Sequence, residues 1–130
     1  MMLSIVIPVY NEEALVVSLL QKIADLKLEH CLQKEVIIVD DGSTDQTLKR
    51  IQAWLPTPGG TGIRLLRHER NAGKGAAVRT GFEAASGDIL IVQDADLEYD
   101  PEDINQVVAP IVGPRGCGGF HDGLLVGTGP

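Results

Sequence analysis

The residues best suited to chemistry are carboxylates that follow a short apolar run at residues 89–92. Asp94 and Asp96 leave this run at alternate positions, and further acids follow by residue 103, namely Glu98, Asp100, Glu102 and Asp103. So much like charge is unfavourable unless a cation lies among the carboxylates. Oxygen ligands are those that Mg²⁺ and Mn²⁺ prefer. The Asp94-Ala95-Asp96 triplet therefore predicts a divalent-cation site.

A simpler interpretation of this acidic segment stays open. Asp94 could cap a turn while the later acids form a solvated surface, and the last two acids suit the first turn of a helix after Pro101. A calcium EF-hand loop is excluded, because Glu98 stands at the third ligand position and Tyr99 stands where glycine is required. A cation site and a plain helix start are thus the two interpretations.

Two more polar clusters follow apolar runs, and each could contact a nucleoside. LSIVIPV is followed by YNEE, and EVIIV is followed by DDGS. Tyr10 could stack on a base, and Asp40 could accept hydrogen bonds from a base or a ribose. The alternatives are a tyrosine at the core boundary and an ordinary turn that caps the next helix.

The stretch RNAGKGAAVRTG, at residues 70–81, combines glycines with two cations. Its glycines allow close approach of the backbone, and Lys74 and Arg79 could contact a diphosphate. It is not a Walker A motif, because Gly75 stands where serine or threonine is required. A helix N-terminus with solvated cations would explain the same residues.

The same stretch imitates a dinucleotide-binding fingerprint. Gly73-Lys74-Gly75 opens a predicted helix, and Asp94 follows about twenty residues later. Val78 stands where the third small residue belongs, and the motif usually occupies the first strand–helix unit. An NAD-type dinucleotide-binding domain is therefore the less favoured alternative.

The elements that would position these groups are four apolar runs alternating with helical patterns. We predict strands at 3–9, 35–39, 63–66 and 89–93, the third short or near an edge, and helices at 12–28, 45–55, 76–85 and from 101. Asn11 is expected to cap the first helix, and Ser43 or Thr44 the second. This alternation is typical of a mostly parallel sheet in a three-layer α/β/α fold. Its polar clusters would meet where the strands end.

Composition excludes several classes of protein. A net charge of −7 over 130 residues argues against a nucleic-acid partner, which would require a basic face. No stretch approaches the roughly 20 apolar residues of a membrane span, and the N-terminus lacks the basic start of a signal peptide. Cys31 and Cys117 match no metal or redox spacing, which indicates a reducing compartment. We therefore expect a cytoplasmic protein.

Three segments carry a resemblance to a known family, in order and spacing: LSIVIPVYNEE, EVIIVDDGSTDQT and RNAGKGAAVRTGFEAASGDILIVQDADLEYDPEDI. Over residues 3–112 the chain resembles the family 2 glycosyltransferases of the GT-A fold, a Rossmann-like fold. Within that family it is most similar to polyprenyl-phosphate (dolichol-phosphate) sugar transferases. The resemblance implies inverting transfer of a sugar from a UDP- or GDP-linked donor to a polyprenyl or dolichyl phosphate, or to another glycan acceptor.

The resemblance also implies roles for individual residues. The positions that hold the base and ribose are Pro8, Tyr10, Glu12 and Asp40. Asp94 and Asp96 are implied to hold Mg²⁺ or Mn²⁺ and the diphosphate, with Ala95 between them at the donor, and are the candidate catalytic residues. Lys74 and Arg79 are implied to contact the diphosphate. A lipid-phosphate acceptor would place the protein at the cytoplasmic face of a membrane, and its ionised phosphate would need no general base.

The last 18 residues depart from this pattern, with seven glycines and two prolines. Such composition is typical of a linker. We therefore predict residues 1–112 as the nucleotide-sugar-binding half of the domain and 113–130 as a Gly-rich tail outside the fold. Family members continue further, so we expect a truncation or a shifted reading frame near residue 112. A truncated module that binds nucleotide and metal without turnover is the alternative to an active enzyme, and its open sheet would favour self-association.

Overall fold

Strands and helices alternate along the chain in the computed structural model, which describes residues 1–29, 32–95, 101, 103–112 and 124–127. In chain order the elements are β1 (Met2–Val9), α1 (Val16–Asp25), β2 (Gln33–Asp40), α2 (Thr47–Trp54), β3 (Arg64–Arg67), α3 (Lys74–Ala84), β4 (Ile89–Val92), α4 (Asp103–Val112) and β5 (Leu124–Gly127). A single 3₁₀ turn at Pro58–Gly60 precedes β3. Cys31 and Cys117 lie outside the described residues.

The strands form one parallel sheet in the order β3-β2-β1-β4-β5. In the central strand β1, Val9 lies opposite Asp40 of β2, and Val6 lies opposite Val92 of β4. The chain moves outward from β1 to β3 and then crosses over to β4, so the strand order reverses between β1 and β4. In open α/β sheets, ligands bind beside such a reversal, at the carboxyl ends of the strands.

Helices cover both faces of this sheet, which confirms the predicted three-layer architecture. One face packs against α1, α2 and α4 through alternate residues of β1, namely Leu3, Ile5, Ile7 and Val9. On the other face, Val6 packs with Ala77 of α3. A Cβ atom added at Gly81 would lie 2.3 Å from Cγ1 of Val6. Glycine at this position therefore lets α3 lie unusually close to the sheet.

The strand β3 forms one edge of the sheet, as predicted for the third apolar run. Leu65 and Leu66 are half-buried at its centre, whereas Arg64 and Arg67 are exposed at its two ends. Nη1 of Arg64 donates a 2.9 Å hydrogen bond to the carbonyl of Ala84, in the last turn of α3. The arginine thus satisfies a carbonyl that has no partner within its own helix.

The predicted cap of the first helix is wrong. Helix α1 begins at Val16 and has Leu15 at its N-cap, whereas Asn11 lies further ahead with a left-handed φ of 51°. Oδ1 of Asn11 accepts a 2.8 Å hydrogen bond from the backbone of Thr44. The side chain therefore joins the loops after β1 and β2 instead of capping a helix.

The predicted cap of the second helix is also wrong, since neither Ser43 nor Thr44 caps it. Helix α2 begins at Thr47, whose backbone donates a 2.9 Å hydrogen bond to Oδ1 of Asp45. Oγ of Ser43 instead accepts a 3.0 Å hydrogen bond from the Asn11 backbone. Both predictions failed because these polar side chains bond across two loops, which are distant in sequence.

The strand β5 corrects the prediction that all of residues 113–130 lie outside the fold. It pairs in parallel with β4, with Ile89 opposite Leu124 and Val92 opposite Gly127. Its LLV run is apolar, and it pairs the edge that β4 would otherwise leave open. The prediction gave the glycine content of the tail more weight than this run. Residues 113–123 and 128–130 lie outside the described residues, and no helix among the described ones could span a membrane.

Candidate functional site

The three polar clusters of the sequence meet at the carboxyl end of the sheet, as predicted. The backbone N–H of Asp41 donates to the carbonyl of Val9, and that of Gln93 donates to Val6, both at 2.9 Å. The loops after β2 and β4 therefore flank the end of β1. We call this region the strand-end site and define it as residues 8–12, 40–43, 71–74 and 93–95.

Pro8 is buried next to the end of β1, opposite Val39 of β2. The backbone of β1 alternates between its neighbours, because Val9 bonds toward β2 and Val6 toward β4. The nitrogen of Pro8 thus faces β4, whose pairing with β1 ends at Val92. A proline costs no ladder hydrogen bond there, and it leaves the space beside the strand reversal free of β1 donors.

The loop after β1 holds Tyr10 and Glu12 at this end of the sheet. Tyr10 is 43% exposed, more than the other aromatic side chains among the described residues, Trp54 and Phe82. The backbone N–H of Glu12 donates a 2.8 Å hydrogen bond to Oγ1 of Thr47, at the start of α2. Together with the Asn11 contacts, this bond fixes the loop against the one after β2. Tyr10 is therefore presented to solvent from a loop that is held in place.

Asp40, the last residue of β2, is a buried carboxylate with one oxygen that no described residue satisfies. It is 1% exposed, and its Oδ1 has no hydrogen-bond partner among the described residues. Alternation along β2 places it on the same face as Val36 and Ile38. A buried acceptor without a donor costs of the order of 1–3 kcal/mol. Such a group fits the sequence prediction that Asp40 accepts hydrogen bonds from a ligand.

Gln93 is a second buried polar group at this end, and the sequence analysis missed it. It is 1% exposed, and within the described part of the chain neither Oε1 nor Nε2 has a partner. Gln93 follows Ile89 and Ile91 at alternate positions, so it shares their buried face. That alternation was visible in the sequence, and extending it by one residue would have placed a buried amide directly before Asp94.

Asp94 forms an ion pair with Lys74, the first residue of α3. Its side chain is 16% exposed and that of Lys74 is 59% exposed. The N-terminus of α3 adds partial positive charge at the same place. The structure therefore brings together two of the predicted site residues, a carboxylate after β4 and a cation from the glycine-rich stretch.

The second acid of the Asp94-Ala95-Asp96 triplet, Asp96, lies outside the described residues, as do Glu98, Asp100 and Glu102. Ala95 is 5% exposed and packs in the core. Asp94 supplies carboxylate oxygens, the ligand type that suits Mg²⁺ or Mn²⁺, although its described contact is with the ammonium of Lys74. The described residues contain no group of three His, Cys, Asp or Glu side chains that could hold a metal ion, so the cation site stays a prediction.

Asp41, which sequence analysis assigned to a turn, is the most highly connected carboxylate of the site. It is 3% exposed, and its oxygens accept hydrogen bonds of 2.9 Å from the backbones of both Ala72 and Gly73. Burial alone would raise the pKa of Asp41, but these bonds and one from His68 outweigh it and hold the pKa below its ordinary value. Asp41 is therefore a charged anchor for the segment before α3.

His68 lies between Asp41 and α3. Its Nδ1 is 2.8 Å from Oδ1 of Asp41, and its Nε2 is 2.8 Å from Oγ1 of Thr80. Since Asp41 is ionised and accepts, Nδ1 is the protonated nitrogen of this pair. The sequence carried no signal for these contacts, because Asp41 and Thr80 are 27 and 12 residues away from His68.

Arg79 is a predicted site residue that lies away from the strand-end site. It is exposed on α3, five residues after Lys74, and it forms no ion pair with any described residue. Five residues correspond to a rotation of roughly 140° around the helix. Arg79 therefore points away from the direction of Lys74.

A cavity of about 430 Å³ lies elsewhere, between the end of α1 and the turn before β3. Its lining includes Lys34, whose ammonium donates to the carbonyls of Ile23, Ala24 and Leu26 at 2.7–3.0 Å. Burial lowers the pKa of Lys34, although Asp25 partly opposes this. The cavity shares no residue with the strand-end site, and its amine is already used to cap α1.

Comparison with known proteins gives the family. A family model described as glycosyl transferase family 2 matches residues 4–120. The chain is 36% identical over 109 residues to a dodecaprenyl-phosphate galacturonate synthase of Rhizobium johnstonii. It is 40% identical over 107 residues to an undecaprenyl-phosphate 4-deoxy-4-formamido-L-arabinose transferase of Pseudomonas aeruginosa. These matches cover 84% and 82% of this chain but only 32% and 31% of those proteins.

Solved structures agree with this assignment. A mannosyltransferase from Pyrobaculum calidifontis, in complex with GDP-Man and Mn²⁺, has a TM-score of 0.70 at 26% identity. The likeness covers 83% of this chain and 32% of that one. A glucosyl-3-phosphoglycerate synthase from Mycobacterium tuberculosis, with Mn²⁺, UDP and its product, has a TM-score of 0.67 at 32% identity, covering 85% and 39%.

The sheet order, the polar strand ends and these similarities all point to the same assignment. The predicted GT-A fold and the resemblance to polyprenyl-phosphate sugar transferases are confirmed. The chain spans about a third of the length of the curated relatives that it matches. It belongs to glycosyl transferase family 2.

Proposed function

We propose that this chain is the donor-binding half of an inverting, metal-dependent glycosyltransferase that takes its sugar from a nucleotide-diphosphate sugar. The observation that carries the proposal is Asp40, a buried carboxylate at the strand reversal whose Oδ1 has no partner among the described residues. A ribose hydroxyl or a base N–H would satisfy it. The family and the nucleotide complexes of its structural relatives support the same ligand.

The donor would lie across the end of β1. Tyr10 is exposed there and can stack on the base. Pro8 and Glu12 would border the nucleoside, and Lys74, which now pairs with Asp94, can reach a diphosphate. Arg79 keeps its predicted diphosphate contact only as a hypothesis, because it is exposed further along α3.

Asp94 and Asp96 would hold Mg²⁺ or Mn²⁺, and Mn²⁺ is present in the structural relatives with GDP-Man and with UDP. When bound, the cation would offset the charge that the diphosphate gains as it leaves. Lys74 would add a second positive charge on the same side, and the α3 N-terminus would add its partial charge.

The proposed acceptor is a polyprenyl phosphate, because both curated relatives are named for transfer to such a lipid. An oxygen of this phosphate would attack the anomeric carbon while the bond to the nucleoside diphosphate breaks, which inverts the configuration. The acceptor is already ionised near neutral pH, so no general base is required. The protein would then work at the cytoplasmic face of a membrane.

A nucleotide- and metal-binding module without turnover is the second candidate, which an assay of product formation separates from the first. The third, an NAD-type domain, fits less well, since the loop at the strand reversal, after β1, reads YNEE and carries no glycine. The assignment of residues 1–112 to the donor-binding half remains a prediction.

Thermal unfolding with added ligands tests the donor site. UDP, GDP and NAD are each added with Mn²⁺ or with EDTA, to the wild type, to Asp96→Ala and to the control Glu83→Gln, an exposed acid on α3. A diphosphate at 100 times its Kd should stabilise by about 2.7 kcal/mol. We expect one diphosphate to do so with Mn²⁺ only, in the wild type and the control but not in Asp96→Ala.

The other outcomes are equally informative. Stabilisation by NAD alone would favour the dinucleotide-binding domain, and no stabilisation by any nucleotide would contradict the proposal. Product formation from a radiolabelled donor and undecaprenyl phosphate then separates an enzyme from a binding module.

A further inference from the structure

Helix α3 is tied to β2 at both ends by carboxylates. Before the helix, Asp41 accepts the backbone N–H groups of Ala72 and Gly73. After the helix, Glu35 accepts the backbone N–H and the hydroxyl of Ser86, at 2.8 and 2.7 Å. We call these contacts the start tether and the end tether of α3.

The start tether holds residues 72 and 73, which belong to the strand-end site. Gly73 is bound to Oδ2 of Asp41 at 2.9 Å, and the next residue is Lys74, the partner of Asp94. Gly42 lies beneath this loop, and a Cβ there would be 2.6 Å from both the Arg70 carbonyl carbon and the Asn71 nitrogen. The loop is therefore pressed onto the end of β2 and cannot shift without losing these bonds.

His68 extends the start tether into α3 itself. It contacts Asp41 through Nδ1 and Thr80 through Nε2, and its backbone N–H donates to the carbonyl of Asp40 at 2.9 Å. Thr80 lies in the second turn of α3, and its hydroxyl donates to Ala76 at 3.0 Å. Asp41 is thus oriented from one side by the loop it binds and from the other by the helix it positions.

The end tether lies at the opposite end of the sheet, away from the site. Glu35 also accepts a 2.6 Å hydrogen bond from Ser4, whose hydroxyl in turn accepts from the backbone of Gly87. None of these residues belongs to the strand-end site. In both tethers a carboxylate accepts backbone N–H groups, but only the start tether holds residues of the strand-end site.

We propose that Asp41, oriented by His68, is a positioning residue for donor binding: it fixes the start of α3 so that Lys74 faces Asp94 and the donor diphosphate. This inference rests on the proposed function for its ligand, but the position of Lys74 can be measured without any ligand. Asparagine cannot replace Asp41, because it has one acceptor oxygen and would direct an NH₂ group at a backbone N–H.

The experiment compares Asp41→Asn with the matched control Glu35→Gln, which removes the same charge from the end tether. The first readout is the NMR shift of the Lys74 side-chain CH₂ next to the ammonium, measured with and without Asp94→Asn. We expect this substitution to move the signal in the wild type and in Glu35→Gln, but not in Asp41→Asn.

The second readout is the Kd of UDP and GDP with Mg²⁺, measured by calorimetry well below the unfolding temperature. We expect Asp41→Asn to weaken binding about tenfold relative to Glu35→Gln, the lower end of what loss of an orienting partner costs at metal sites. If Asp41→Asn does not fold, His68→Gln replaces it, and we expect the Lys74 signal to lose part of its response to Asp94→Asn.

An unchanged Lys74 response in Asp41→Asn, or equal nucleotide Kd values in the two tether variants, would overturn the inference. A wild type that binds no nucleoside diphosphate but shows the Lys74 response would contradict the proposed function and leave the positioning role supported.

Discussion

The two ends of the parallel sheet differ in how completely their polar groups are paired. At the amino end, Glu35 accepts three hydrogen bonds, and Asp88 accepts a 2.8 Å bond from the Met2 backbone. At the carboxyl end, Asp40 and Gln93 are just as buried as Ser4, yet their side chains keep unsatisfied atoms within the described structure.

Asp41 shows that this difference is not a general property of strand ends. It lies next to Asp40, and three donors bind its two oxygens. The chain can therefore satisfy a carboxylate at the carboxyl end where the structure requires one. The contrast between these adjacent aspartates separates a carboxylate whose oxygens are both bound from one whose Oδ1 has no partner among the described residues.

The largest loss of stability is expected from substitution of Gly42, which lies beneath the loop that the start tether holds. Gly42→Ala places a Cβ 2.6 Å from backbone atoms of Arg70 and Asn71 at a φ of +73°, so we expect a loss of more than about 3 kcal/mol. Gly62→Ala is the control: its φ is +77°, but nothing lies within 4 Å of the new Cβ, so it should cost about 1 kcal/mol. Urea unfolding measures both, and equal losses would show that the loop is not pressed onto β2.

An intermediate effect is expected in acid, where both tethers should fail. Hydrogen bonds outweigh burial and lower the pKa values of Asp41 and Glu35 below 3.8 and 4.5. Their contribution to stability is therefore complete above these values and is lost as the pH falls through the lower, folded-state pKa values. We expect Asp41→Asn and Glu35→Gln each to cost of the order of 2 kcal/mol at pH 7 and less at pH 3, which lies below both ordinary pKa values.

Urea unfolding at the two pH values checks this. A constant loss across the pH range, in either variant, would mean that the charge of that carboxylate does not contribute.

The smallest change in stability is expected from substitution of Gln93, and it should be a gain. Gln93→Met keeps the volume and removes an amide with no partner among the described residues, so the free energy of unfolding should rise by about 1 kcal/mol. Ser4→Ala at the paired amino end is the comparison and should lower it by a similar amount, since the hydroxyl bonds to Glu35 and Gly87. Destabilisation by Gln93→Met would show that the Gln93 amide contributes to stability, as the Ser4 hydroxyl does.

Local patterns predicted much of this molecule. The β-branched runs located β1 to β4, and the rule that ligands bind where parallel strands end located Asp40 and Asp94. The capping residues and His68 were not predictable in this way, because Asn11 and His68 bond to residues that the fold, not the sequence, brings near. Arg79 was grouped with Lys74 by sequence proximity, but the helical repeat separates their directions.

The arginines at the two ends of β3 affect how two copies of this protein could associate. Two sheets that joined edge to edge through antiparallel β3 strands would bring the exposed Arg64 of one copy toward Arg67 of the other. Like charges facing each other across a strand pair repel, and short charged edges are a common defence against such growth. The short, charged edge formed by β3 therefore opposes fibre-like assembly through that edge.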